Sequence, residues 1–161
     1  MKTDRLMQNI LIIDDEVTNI SVLNELLQPN YNVLFAKDGK TGIKIAKSPM
    51  RPDLILLDIV MPEIDGYQVI TLLKGDEYTN TIPVIFITAK GQEEDEAKGF
   101  ELGAVDYITK PFKPIVVKAR IKSQLELKRH QDFLEWMLKE RTKELQQMEK
   151  EYLSIFYRKT T

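Results

Sequence analysis

The chain has 161 residues, 43% of them hydrophobic and 30% charged, which is typical of one globular domain with a short appendage. The absence of cysteine excludes disulfides and thiolate metal sites. Its purely apolar runs, such as residues 54–57 and 84–87, are too short to cross a bilayer. Residues 1–8 have no apolar core of the kind a secretory signal needs, so we expect a cytoplasmic protein without a membrane partner.

The net charge of −2 is unevenly distributed. Residues 1–112 carry a net charge of −7, and residues 113–161 carry a net charge of +5. A basic tail can indicate contact with nucleic acid. Here, however, basic and acidic residues are interleaved as they are on a solvated helix face, so we expect no nucleic-acid partner.

The first two thirds of the chain alternate short apolar runs with longer amphipathic stretches. The apolar runs predict five strands, at residues 9–13, 31–36, 53–57, 83–88 and 105–108. The stretches between them predict four helices, at residues 17–27, 39–46, 67–73 and 92–102. Strands that are apolar throughout and separated by helices indicate a parallel sheet covered on both faces. The pattern therefore predicts a doubly wound α/β domain over residues 1–125.

The remainder of the chain predicts one long helix. Strong helix formers dominate after Pro114, and no glycine or proline follows. The early part of this helix, with Ile115, Val116, Ala119 and Ile121, is expected to pack on the sheet. Up to about Tyr157 the helix would be roughly 65 Å long.

Residues 126–161 have the pattern of a coiled coil. Positions at alternating spacings of four and three form a seam, of which seven out of nine are apolar: Leu127, Gln131, Leu134, Leu138, Arg141, Leu145, Met148, Tyr152 and Ile155. His130 and Trp136 lie off this seam. Because a small domain cannot cover so long a stripe, we expect a partner, most simply a second copy of the chain.

Polar residues end four of the five predicted strands. Asp14 and Asp15 follow the first strand, Asp58 the third, Thr88 ends the fourth, and Lys110 follows the fifth. Ligands of a doubly wound sheet bind at the carboxyl ends of its strands, so these groups are expected to share one crevice.

Three neighbouring carboxylates repel one another, by about 4 kcal/mol for a pair ~4 Å apart at an effective dielectric of 20. Such a cluster must raise its pKa values, recruit cations, or both. Lys110 supplies one positive charge, and a hard divalent ion such as Mg²⁺ would suit the oxygen ligands. A carboxylate can also attack a phosphoryl group and form an aspartyl phosphate.

Each residue alone has a simpler interpretation. Asp14 and Asp15 could cap the following helix, Asp58 could belong to a turn, and Thr88 and Lys110 could be an ordinary strand residue and a surface lysine. Their placement at four separate strand ends favours a shared site.

Four segments resemble the motifs of bacterial response-regulator receiver domains. They read IIDDE at 12–16, LLDIVMPEIDG at 56–66, IFITA at 85–89 and GAVDYITKPF at 103–112. The resemblance covers about residues 8–125. It implies a flavodoxin-like sheet in strand order 2-1-3-4-5.

The resemblance also implies phosphotransfer from a sensor histidine kinase to Asp58. It implies a Mg²⁺ ion bound by Asp14 or Asp15, by Asp58 and by the backbone carbonyl of Val60. Lys110 would pair with the phosphoryl group, and the bond to Pro111 would be cis. Such a domain is a regulatory phosphoacceptor that promotes only its own phosphorylation and dephosphorylation.

The resemblance further supplies a switch. The hydroxyl of Thr88 would move toward the phosphoryl group and the ring of Tyr107 would turn inward, which changes the surface of the fourth helix, fifth strand and fifth helix. Residues 117–129 and 140–145 are similar to linkers that precede diguanylate cyclase or HD-GYP phosphodiesterase domains. Neither output domain lies within the 161 residues, so the signal is expected to pass either to an output domain outside them or through the coiled coil alone.

Two other functions remain open from the sequence. The chain could be a constitutive coiled-coil scaffold with a receiver fold that no longer switches, although the complete set of Asp, Thr and Lys residues argues against this. It could also bind DNA through its basic tail, but acidic residues such as Glu126 and Glu140 interrupt the basic ones.

Overall fold

The computed structural model describes residues 7–89 and 93–159, in which strands and helices alternate strictly. The strands are β1 (Asn9–Ile13), β2 (Asn32–Ala36), β3 (Leu54–Asp58), β4 (Val84–Ala89) and β5 (Asp106–Lys110). The helices are α1 (Val17–Leu27), α2 (Gly39–Ala46), α3 (Gly66–Lys74), α4 (Glu93–Glu101) and α5 (Pro114–Lys159).

The five strands form one parallel sheet in the order β2-β1-β3-β4-β5. This confirms the predicted flavodoxin-like fold and its strand order. Because β1 and β3 are the central neighbours where the strand order reverses, the loops after these two strands diverge and leave a crevice at their carboxyl ends.

The strands alternate their side chains between two cores, one on each face of the sheet. Ile10 and Ile12 of β1 pack with α1 and the first part of α5, whereas Leu11 and Ile13 pack with α2 and α3. All four residues are fully buried. The apolar character of the whole strand therefore reflects two covered faces, as the sequence predicted.

The first strand has the predicted bounds, and the other four differ from the predicted ones by one residue at one or both ends, except that β5 ends two residues later, at Lys110. The fourth strand begins at Val84 rather than Pro83, because proline has no N–H to donate to a ladder. The third strand runs from Leu54 to Asp58, and Asp58 is in register with Ile87 of β4. The predicted start of the fourth helix, at residue 92, lies outside the described residues.

The chain divides between Leu125 and Glu126 into two compact units. In the first unit, α5 buries Val117, Ile121 and Leu125, which recur every four residues on one helix face. The prediction that Ile115, Val116 and Ala119 pack on the sheet is wrong, because these residues lie on other faces of the helix and are exposed. In the second unit, residues 126–159 are helical and none of them is buried. No helix in the described part of the chain has both the length and the apolar character needed to span a membrane.

Candidate acidic site at the carboxyl edge of the sheet

Three aspartates meet where β1 and β3 end. Asp14 and Asp15 follow β1, and Asp58 is the last residue of β3. One carboxylate oxygen from each of the three lies within 4.8 Å of the others. Asp14 and Asp58 are buried and Asp15 is exposed. The predicted gathering of these carboxylates is therefore present in the structure.

Asp14 is fixed by two hydrogen bonds. Its Oδ1 accepts the backbone N–H of Glu16 at 2.9 Å, and its Oδ2 accepts the side-chain amide of Asn19 at 3.0 Å. Burial nevertheless raises the pKa of Asp14 above its ordinary value. Asn19 was not singled out in the sequence, although a polar residue in the first turn after an acidic strand end is a usable signal for such a bond.

Asp58 is the most perturbed carboxyl group of the site. Burial, and then the negative charge of Asp14, raise the pKa of Asp58 from 3.8 to about 7. The ammonium group of Lys110 acts in the opposite direction, with its Nζ 3.6 Å from Asp58 Oδ1. Burial therefore favours the protonated form of the carboxyl until further positive charge is supplied.

Lys110 approaches the site from the end of β5. The bond between Lys110 and Pro111 is cis. The Nζ atom also lies 3.9 Å from Glu16 Oε1, so the same ammonium group is shared between an exposed and a buried carboxylate.

Thr88 brings an unsatisfied hydroxyl to the site. Its side chain is buried, and its Oγ1 has no hydrogen-bond partner among the described residues. A buried hydroxyl without a partner costs about 1–3 kcal/mol. An acceptor oxygen placed in the adjacent cavity would remove that cost.

A cavity of about 390 Å³ lies at this edge of the sheet. Its lining includes Asp58, Thr88 and Lys110 together with Val60, whose side chain is largely exposed. The lining also includes Asp95 of α4, which the sequence did not indicate because no local pattern shows where that helix turn lies relative to β3.

Tyr107 is not part of the cavity lining. Its ring meets Phe100 of α4 edge-on at 5.8 Å, and the guanidinium group of Arg120 lies 5.4 Å from the ring centre. The neighbouring carboxylate of Glu96 raises the pKa of the Tyr107 phenol. Tyr107 therefore connects β5 to α4 at a distance from the acidic cluster.

The donor atoms suit a hard divalent cation. Two oxygens bound to one Mg²⁺ at ~2.1 Å are at most about 4.2 Å apart, close to the 4.8 Å spread of the three carboxylates. The raised pKa of Asp58 also indicates a deficit of positive charge at this position. The residues present therefore fit a Mg²⁺ ion.

Sequence comparison gives a consistent family. The family model for the response regulator receiver domain matches residues 10–122. A Vibrio cholerae protein named "Probable cyclic di-GMP phosphodiesterase" is 47% identical over 126 residues, which are 78% of this chain and 28% of that protein. The response regulator PleD of Caulobacter vibrioides is 40% identical over 74% of this chain and 26% of its own length. The chain thus spans only a minor part of these two relatives.

Solved structures agree with the fold. A receiver domain of a signal transduction histidine kinase from Syntrophus aciditrophicus is 36% identical, with a TM-score of 0.66 over 74% of this chain and 90% of that one. A response regulator receiver domain protein from Clostridium thermocellum is 26% identical, with a TM-score of 0.70 over 76% of this chain and 98% of that one. The motifs, the sheet order, the acidic edge and the matched family model together place this chain in the response regulator receiver domain family of two-component signalling.

Proposed function

We propose that Asp58 accepts a phosphoryl group from a sensor histidine kinase and that the domain acts as a phosphorylation switch. The observation that carries this proposal is the combination of a buried carboxyl, an ammonium group 3.6 Å away and an unpaired buried hydroxyl around one cavity. A purely structural sheet edge has no need for this arrangement, since the buried carboxyl and the unpaired buried hydroxyl are both unfavourable without a ligand.

The chain's own residues have distinct parts in the reaction. An Asp58 carboxylate oxygen attacks phosphorus while the bond to the donor's imidazole nitrogen breaks, so the nitrogen leaves with the bonding electron pair. Lys110 stabilises the negative charge of the transferring group, and Thr88 donates its free O–H to a phosphoryl oxygen. The domain is thus a regulatory phosphoacceptor, acting only on itself.

Asp14, Asp15 and Asp58 would hold Mg²⁺, together with the backbone carbonyl of Val60. When bound, the ion supplies charge neutralisation for the carboxylates and the phosphoryl oxygens. Asn19 and the backbone N–H of Glu16 keep Asp14 oriented toward this position.

Intact-mass analysis with a small phosphodonor tests the assignment. The wild type should gain one phosphoryl group in a Mg²⁺-dependent reaction, and Asp58→Asn should gain none. Asp53→Asn, the same change at the opposite end of β3, should react like the wild type. Phosphoryl uptake by Asp58→Asn would refute the nucleophile, and a wild type insensitive to Mg²⁺ and donor would favour the scaffold function instead.

Phosphorylation of Asp58 also changes the surface through which the domain signals. Thr88 moving toward the phosphoryl group frees space behind it, and Tyr107 turns inward from its contacts with Phe100 and Arg120. Phosphorylation thereby favours a second arrangement of α4, β5 and α5.

Residues 126–161 are proposed to form a coiled coil that joins two copies of the chain and links the receiver, residues 1–125, to an output domain. The apolar seam residues are all exposed in the single chain, Leu138 by 68%, which leaves them available to a partner. The name of the Vibrio relative, a probable cyclic di-GMP phosphodiesterase, supports an output concerned with cyclic dinucleotides, which we propose to be of the diguanylate cyclase or HD-GYP type.

A further inference from the structure

The first turn of α4 is hydrogen-bonded to a tyrosine of a neighbouring helix. This turn carries Glu93, Glu94, Asp95 and Glu96. The hydroxyl of Tyr67, in α3, donates to the Asp95 carboxylate at 2.6 Å. The acidic start of α4 is thus held by α3.

Tyr67 is closely coupled to the phosphoacceptor through its backbone. The preceding residue, Gly66, donates its N–H to the Ile59 carbonyl at 2.8 Å. A Cβ atom at Gly66 would lie 2.4 Å from the carbonyl oxygen of Asp58. The start of α3 therefore cannot shift independently of the backbone of Asp58.

The ring of Tyr67 is held between β4 and α4. It meets Phe86 of β4 edge-on with 5.7 Å between ring centres, and the ammonium group of Lys98 lies 4.1 Å from its centre. Burial and the bond to Asp95 raise the pKa of Tyr67, so the phenol remains a donor at physiological pH. These contacts fix the direction in which the hydroxyl points.

Asp95 also lines the cavity in front of Asp58. Phosphorylation replaces the Asp58 carboxyl, which carries at most one negative charge, with an acyl phosphate that carries close to two, so the cavity gains at least about one negative charge. In the unphosphorylated protein, the acidic residues of the first turn are favoured by the positive end of the helix dipole. The added negative charge repels the carboxylate of Asp95, the residue through which α4 is hydrogen-bonded to α3.

We propose that the Tyr67–Asp95 hydrogen bond is a latch that holds α4 in its unphosphorylated position and opens when Asp58 is phosphorylated. The inference rests on the proposed function of Asp58. It adds a release on the side of α3 to the inward turn of Tyr107 on the side of β5. The phosphoryl group pushes on Asp95 by charge, and α4 becomes free to move once the bond to Tyr67 is broken.

Hydrogen exchange of the backbone amides of residues 93–101, measured on the full chain, tests the latch. Beryllofluoride with Mg²⁺ serves as the phosphoryl probe. In the wild type the probe should speed exchange in α4 at least fivefold. Tyr67→Phe should show that faster exchange without the probe, and should bind beryllofluoride at least threefold more tightly because opening is already complete.

Two further variants separate the latch from a general packing effect. Tyr78→Phe is the control, because the ring of Tyr78 lies against the guanidinium group of Arg51 and does not line the cavity. This variant should behave like the wild type. Asp95→Asn keeps an acceptor oxygen for Tyr67 but removes the charge. Its α4 should remain protected without the probe and should respond to the probe less than in the wild type. If Tyr67→Phe unfolds, as its melting temperature would reveal, Asp95→Asn still carries the test.

The latch is overturned if Tyr67→Phe keeps wild-type exchange and wild-type affinity, or if Asp95→Asn responds fully. It is also overturned, with the proposed function intact, if the wild type binds beryllofluoride and α4 exchange does not change. A wild type that fails to bind beryllofluoride overturns the proposed function itself and the latch with it.

Discussion

At the scale of single residues, the acidic cluster is a source of instability that a ligand can relieve. Asp58 is buried, beside a second buried carboxyl group, and only partly compensated by Lys110. A receiver needs this uncompensated charge, because a site whose carboxylates were already neutralised in the resting state would be stabilised little by a cation or a phosphoryl group. Stability measurements can therefore reveal the site without any kinase.

Asp58→Asn should stabilise the chain in chelator at pH 8. The amide removes a charge whose burial shifts the pKa from 3.8 to about 7, which corresponds to at most about 4 kcal/mol in the free energy of unfolding. Urea denaturation gives the comparison. Asp132→Asn, which removes an exposed carboxylate paired with Lys128, should change stability by less than about 0.5 kcal/mol. A destabilised Asp58→Asn would show that the carboxylate is not strained.

The stabilisation by Asp58→Asn should depend on pH. Between pH 4 and pH 7 the folded wild type keeps the proton on Asp58 that the unfolded chain has lost, so its stability falls relative to the variant as the pH rises. The difference should grow through this range and level off above it. Denaturation curves of both proteins at pH 4.5, 6 and 8 in chelator measure it, and a difference independent of pH would contradict the raised pKa.

The stabilising effect of Mg²⁺ should follow the same trend. Protons and Mg²⁺ compete for the same carboxylates, so Mg²⁺ should raise the melting temperature more at pH 8 than at pH 5. In Asp58→Asn the effect should be smaller at both values. An equal rise in melting temperature at pH 5 and pH 8 would place the ion elsewhere on the chain.

At the scale of elements, the entry to α3 is the most constrained local structure near the site. Asp65 and Gln68 form a reciprocal capping box around its first turn. Gly66 follows the cap and packs against the backbone of Asp58 and Ile59. The loop after Asp58 and the start of α3 are therefore packed together and cannot move separately.

Gly66→Ala should therefore be strongly destabilising. Its Cβ would lie 2.4 Å from the Asp58 carbonyl oxygen, a backbone atom that cannot rotate away, so we expect a loss of about 2–4 kcal/mol. Gly75→Ala is a matched control, since its Cβ would meet Thr71 O at 3.3 Å and its φ of −80° suits alanine. Urea denaturation should show a change below about 1 kcal/mol for the control. Equal effects would contradict the close approach at Gly66.

The second half of α5 balances its charges within the helix. Lys128 pairs with Asp132, Arg141 with Glu144 at 2.9 Å, and Lys143 with Glu140 at 3.1 Å. Tight binding to a phosphate backbone uses several basic side chains, and these three are already paired with acidic residues of the same helix. The helix is better suited to a protein partner on its apolar side.

At the scale of the whole molecule, the exposed seam predicts self-association. Leu138→Glu should lower the mass measured by analytical ultracentrifugation from a dimer to a monomer, because it replaces a central apolar contact of the seam with a charge that must be buried. Lys139→Glu, one residue away and off the seam, should remain dimeric. A wild-type chain that is monomeric at high concentration, with and without beryllofluoride, would contradict the coiled coil.

The sequence by itself determined the fold and which residues lie together at the acidic site. Continuously apolar runs between amphipathic stretches specify a parallel sheet that is covered on both faces. Because parallel strands all end on the same side, the polar residues at their carboxyl ends then lie at one edge of the sheet. Asp14, Asp58 and Thr88 could be named for this reason. Strand limits differed by a residue where Pro83 has no amide donor.

Only the tertiary structure decided the electrostatics and the connections between elements. The raised pKa of Asp58 depends on how deeply the side chain is buried and how far Lys110 and Asp14 lie from it, and no local pattern encodes these distances. The bond from Tyr67 to Asp95 joins residues 28 positions apart on two helices. Short-range periodicity determines which face of a helix is buried, whereas contacts between helices depend on how both pack on the same sheet.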